Sequence, residues 1–240
     1  MRRRSRPAAV AVSERYLWGS ARSFEVARRL NERCLQWLAR AATRGGAPPL
    51  EFFRRNRDLW MTFDARACSR AARLPVVLLD CNFRRVDWWT SVINHEATPP
   101  ICSGHVYRHP FSEDAAPVLR EILTEARTIA VSEPLAASLL FGAPSTAVAL
   151  LSSLTVADID QISVQHVLEL RPRWAEKPIF WRNLLSASIG EADEAMSELY
   201  CHSLQLLGSD ILRSMAARQK ASMSLYLKGR ILNVNDRTGP

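Results

Sequence analysis

The chain has 240 residues, 48% hydrophobic and 23% charged, with a formal net charge of +8. This composition excludes a disordered or fibrous chain and leaves room for one large or two small packed domains. The charge is uneven: residues 1–108 hold 20 Arg and no Lys against 9 acids (+11), and residues 110–240 hold 9 Arg and 3 Lys against 15 acids (−3). An excess confined to one half points to a polyanionic partner for that half. The scarcity of Lys also makes part of the arginine count simple composition.

Residues 1–12 are arginine-rich with no signal-peptide core behind them and read as a disordered basic tail. Residues 13–94 read as a basic helical domain. Within it, Phe24, Ala27, Leu30, Cys34, Trp37, Leu38 and Ala41 recur at steps of three and four, which predicts a helix over 13–43. Gly45-Gly46 stops that helix, and a second is expected over 50–72. Leu74–Asp80 is a short apolar run, either a buried strand or the start of a buried helix, and 86–93 predicts a short helix. Trp88 and Trp89 are adjacent, so they cannot both face one core. The proline- and histidine-bearing segment 95–116 reads as a linker.

Beyond it, a domain over 117–220 is expected to be a bundle of short helices with one extended segment, followed by a tail at 221–240. Pro117 is placed at a first helical position, Pro134 opens a helix that Gly142 ends, and Ser145 caps the next. Thr155-Val156-Ala157-Asp158 has the capping-box layout. Residues 165–170 alternate apolar and polar, Pro178 starts a further helix, and a last helix begins near Glu191. Between Glu133 and Asp158 no charge occurs, a span long enough to cross a bilayer. Gly142, Pro144 and the scattered Ser and Thr favour a pair of ordinary helices there and no membrane partner. The fold class is therefore mainly α.

Along the last helix, Met196, Tyr200, Leu204, Leu207 and Ile211 form a narrow apolar seam suited to pairing between subunits, so a homo-oligomer is expected. Cys102, His105 and His109 have spacings that zinc tolerates, and Cys81 or His95 would complete four ligands. No second close pair of ligands accompanies them, so a polar linker with no cofactor is the simpler reading. The five cysteines are odd in number and scattered, which fits reduced thiols and a cytoplasmic location. Asp64, Asp80 and Asp87 show no spacing that makes them converge as acid–base groups, and no enzyme is read from them.

The landmarks Leu123, Glu125-Ala126-Arg127, Ala137-Ser138-Leu139-Leu140-Phe141-Gly142 and Ala149-Leu150-Leu151-Ser152-Ser153-Leu154-Thr155 stand in a telling order. That order resembles the FlhD family, helical subunits of transcriptional activators. The resemblance implies a helical oligomer that binds promoter DNA with an FlhC-like partner subunit and recruits RNA polymerase. It places residues 191–212, including His202, in a region implicated in DNA contact. The chain departs from the family in its long segment before Pro117, and the zinc-binding Cys-x-x-Cys pairs of the FlhC type are absent.

Electrostatics qualifies that placement, because Glu191, Asp193, Glu194 and Glu198 would repel phosphate. Arg171, Arg173, Lys177, Arg182 and Arg213 are better phosphate partners, together with a basic stripe that includes Arg54, Arg55, Arg66 and Arg70. The alternative is a structural or adaptor protein of a secretion or conjugation apparatus, which would bind protein and ignore DNA.

Overall fold

A computed structural model describes residues 21–43, 51–96 and 112–235. Among these the chain is mainly α, with eleven helices and one two-stranded antiparallel sheet. The expected tail at 1–12 and most of the linker lie outside the described residues.

The basic half opens with α1 (Ala21–Thr43), whose apolar stripe is buried from Val26 to Ala41. Where one helix is expected over 50–72, the chain makes three: α2 (Glu51–Arg55), α3 (Arg57–Thr62) and α4 (Ala65–Ala71). A side-chain cap explains the second break, at Asp64, whereas Asn56 at the first makes no capping bond to α3. Asn56 is buried in a non-helical conformation between α2 and α3, and the Asp64 carboxylate accepts the Ala67 N–H at 2.8 Å to restart the chain as α4.

The apolar run after α4 is the strand alternative. Leu74 to Leu79 lie inside the core, and β1 (Leu79–Asp80) pairs with β2 (Arg171–Pro172) in the register Leu79↔Pro172 and Asp80↔Arg171. A buried extended segment must find partners for every peptide group, and this one does so from three directions. The Asn31 amide of α1 donates towards the carbonyls of Ala72, Leu74 and Val76 and accepts the Leu78 N–H at 2.8 Å. The Val77 N–H reaches the Leu140 carbonyl at 2.9 Å, and the Arg173 N–H reaches the Leu78 carbonyl at 2.7 Å.

α5 (Val86–Ile93) falls where predicted and divides its tryptophans. Trp89 is fully buried, while Trp88 is half-buried edge-on to His166 with ring centres 5.4 Å apart. α6 (Ser112–Ser132) starts five residues before Pro117, so that proline lies inside the second turn at an exposed site and withholds one helical donor. α7 (Pro134–Phe141) ends at Gly142, whose φ of 62° is the left-handed cap that glycine adopts without strain. α8 (Ser145–Ser153) meets α7 at 110°. Both helices bury their inner faces in the chain's own core, and no single helix among the described residues is long and apolar enough to cross a membrane.

Thr155 and Asp158 form the reciprocal capping box that opens α9 (Val156–Gln165). A 3₁₀ turn (Val167–Glu169) occupies the stretch read as extended, and the strand comes just after it because Leu78 and Asp80 offer a partner only there. α10 (Pro178–Ile189) starts on its proline as expected, and α11 (Asp193–Asn235) runs through 221–235 where a tail is expected.

α6 packs against α7, α8, α9 and α1, while α10 packs against α2, α3, α4 and α11. The segments read as two domains, 13–94 and 117–220, contribute to one continuous apolar core. Residues 74–83 run through its middle, so each half covers apolar surface of the other.

Candidate functional site

Two groups of cations emerge around the residues singled out in sequence, the first joined by Arg57. The first is an edge made by α2, α3 and α10. Arg54, Arg55, Arg57 and Arg182 are all exposed there. The Arg182 guanidinium donates to the Arg55 carbonyl at 3.3 Å and pairs with Asp58 at 3.6 Å, which ties α10 to this corner. Lys177 is half-buried as the residue before α10.

The second stripe residues, Arg66 and Arg70 on α4, turn towards the start of α11. Arg66 pairs with Glu191 at 3.3 Å; Arg70 pairs with Asp193 at 3.3 Å and donates to the Ala192 carbonyl at 3.1 Å. This is part of a wider pattern. Arg29 pairs with Glu125, Arg33 with Glu121 at 3.6 Å, and Arg84 with Asp210 at 3.0 Å. Five arginines of the basic half thus meet acids of the acidic half, so part of the charge asymmetry is answered within the molecule.

Arg173 is not a surface residue. Only 6% of it is exposed, and its guanidinium donates to the Leu140 and Phe141 carbonyls at the C-terminal end of α7. Burial pulls its pKa down to about 10, opposed by the fields of Asp80 and Asp210. A group spent on capping a buried helix end does not reach a DNA phosphate, and its expected place on that face is corrected. Arg171 and Arg213 are exposed at their ends but bonded to Asp80 and Asp210, at 3.1 and 2.6 Å. His202 is half-buried, with its ring 5.9 Å from that of Phe180.

The apolar seam of α11 faces inward. Leu207 is buried, Met196 and Ile211 pack on the core, and Tyr200 and Leu204 are half-buried. α10 packs against this helix within the chain.

Of the zinc candidates, Cys81 is fully buried, and burial pushes its thiol well above the ordinary range. His95 is exposed at a positive φ of 57°, and Cys102, His105 and His109 lie outside the described residues. Among the described residues no three His, Cys, Asp or Glu side chains gather as a metal site.

Sequence reasoning missed a polar junction where β1, β2 and α11 meet. The Asp80 carboxylate accepts from Arg171 Nε and Nη2 at 3.2 and 3.1 Å and from the Phe83 N–H at 3.3 Å. Asn82 accepts from Arg171 at 3.2 Å and donates to Glu169 at 2.6 Å. Asp210 accepts from Arg84 and Arg213, and from Trp174 Nε1 at 2.8 Å. Three residues around this junction have positive φ: Asn82 at 52°, Gly142 at 62° and Trp174 at 56°. For a tryptophan that conformation is a genuine outlier, held here by its buried ring and the bond to Asp210. In the sequence, Asp80 closes an apolar run, while Arg171 and Arg173 stand out only as phosphate partners.

Compared with known proteins, the chain matches no family model, no curated sequence and no solved structure.

Proposed function

We propose that the chain is a non-enzymatic, DNA-associated subunit of a transcriptional activator resembling the FlhD family. It acts in the cytoplasm in an oligomeric complex at promoters, with an FlhC-like subunit and RNA polymerase as partners. The observation that carries the reading is the edge of Arg54, Arg55, Arg57 and Arg182, four exposed guanidinium groups beside the acid Asp58. Exposed arginines neutralise backbone phosphates and release counterions, which positions a protein on a duplex without reading its sequence. The landmark residues from Leu123 to Thr155 add the family resemblance.

The test is a mobility-shift titration of duplex DNA over a salt series. Each phosphate contact contributes about −0.9 to the slope of log affinity against log salt. The triple variant Arg54→Gln, Arg55→Gln, Arg57→Gln should lose about three such contacts and flatten the slope by about 2.7. No retardation of DNA at low salt would sink the reading.

The adaptor alternative draws on a different observation. α11 has 43 residues, about 65 Å at 1.5 Å per residue, and past Ile211 it shows Leu212 and Met215 exposed by 68% and 58%. A long helix with exposed apolar residues suits protein–protein contact, and an adaptor would leave DNA mobility unchanged.

A further inference from the structure

The polar junction encloses a cleft of about 390 Å³ whose lining includes Arg84, Arg171, Arg173, Gly142 and Trp174. Its hydrogen-bond inventory is lopsided. Both oxygens of Asp80 and both of Asp210 already accept bonds from the surrounding side chains and the Phe83 N–H. Each guanidinium carries five N–H donors and no acceptor, so Arg84, Arg171, Arg173 and Arg213 bring far more donors than the two carboxylates absorb. Among the lining residues the charges balance, three arginines against Asp80, Asp210 and the exposed Glu176, so the surplus is one of donors and not of charge. Arg173 is the extreme case: it is buried, it donates to two backbone carbonyls, and no carboxylate among the described residues forms an ion pair with it. A buried cation whose nearest carboxylates, Asp80 and Asp210, act on it without a direct ion pair is costly, and an anion in the cleft would supply a direct partner.

The lining arginines come from different elements, Arg84 from the loop after β1, Arg171 from β2 and Arg173 from the turn that follows. Guanidinium groups approaching from several sides suit a tetrahedral oxyanion better than a planar carboxylate, which one bidentate arginine satisfies. The volume lies at the small end of the range for metabolite sites and is too confined for a duplex. The cleft is also bordered by Trp174, whose positive φ is strained for a residue other than glycine.

We propose that this cleft binds one small phosphate-bearing ligand, its oxyanion held by Arg84 and Arg171 in front of Arg173. Because Asp210 belongs to α11 and Asp80 to β1, a bound anion would also tie the long helix to the body. The inference stands apart from the DNA reading, since a chain indifferent to duplex DNA would still bind phosphate.

The test is calorimetric titration of the full chain in phosphate-free buffer with inorganic phosphate, AMP and malonate. One-site saturable binding of phosphate or AMP, and weaker binding of malonate, is expected. AMP binding tighter than phosphate assigns an ester ligand and equal binding assigns free phosphate; both support the proposal. Arg84→Gln should lower the affinity about tenfold, the loss of one charge-assisted bond. Arg171→Lys keeps the charge and should lose less than Arg84→Gln, while Arg22→Gln on the exposed start of α1 should change nothing. No saturable binding at millimolar ligand, malonate binding as tightly as phosphate, or wild-type affinity in folded Arg84→Gln would each overturn it.

Discussion

Two arginine-rich regions of this molecule have nearly the same composition and opposite physics. At the α2–α3–α10 edge the arginines are exposed, and an ion pair such as Arg182 with Asp58 is worth about 0–1 kcal/mol and is screened by salt. At the junction, arginines meet the buried carboxylates Asp80 and Asp210 and the indole of Trp174, and these bonds hold β1, β2 and α11 together. The difference teaches that arginine number says little about binding. Desolvation and the supply of acceptors decide whether a guanidinium group is built into the core or stays at the surface.

The contrast can be broken most sharply at Asp210. Asp210→Ala leaves the buried Trp174 N–H without its acceptor and strips Arg84 and Arg213 of their shared carboxylate. A loss of about 3 kcal/mol is expected in urea unfolding; a loss no larger than that of a surface arginine variant would erase the distinction. Thr155→Ala removes a cap away from both regions and should cost about 1 kcal/mol, read from the same midpoint shift.

Acid provides a third comparison. Burial lowers the pKa of His166 below its ordinary 6.5, opposed by Glu169, so the unfolded chain takes up the proton first as pH falls. Stability from this site is therefore present above pH 6.5 and drains away as pH drops below it. Asp158 is held below 3.8 by the Thr155 bonds, and its contribution is lost only in stronger acid. Urea midpoints measured from neutral to mildly acidic pH should fall less steeply for His166→Gln than for the wild type. Parallel curves would remove His166 from the account.

The smallest effect belongs to the exposed pairs between the two halves. Arg66→Gln should change stability by about 0.5 kcal/mol or less, because its partner Glu191 is 84% exposed. A much larger loss would mean that these pairs act with the junction as one network.

Local chemistry made much of the helical framework legible. Pro134 with Gly142, the Thr155–Asp158 box and Pro178 each mark a helix end by rules that involve only a few neighbouring residues, and α7, α9 and α10 begin or end there. Asp64 carried a similar signal that the apolar periodicity over 50–72 obscured, because propensity for a cap competes with a continuing stripe. The extended segment was legible in kind but not in place: Asp80 and Arg171 lie 91 positions apart, and nothing within either segment names the other.

By itself, then, the sequence determined that the chain is helical, where many of its helices begin and end, and that its cations gather in one half. Only the tertiary structure decided that Leu74–Asp80 threads a core shared by both halves, that Arg173 caps a buried helix while Arg182 stays exposed, and that the basic half spends five arginines on the acidic one. The physical reason is range. Caps and periodicity act over a turn or two of chain, whereas desolvation and ion pairing depend on which distant segments are brought into contact.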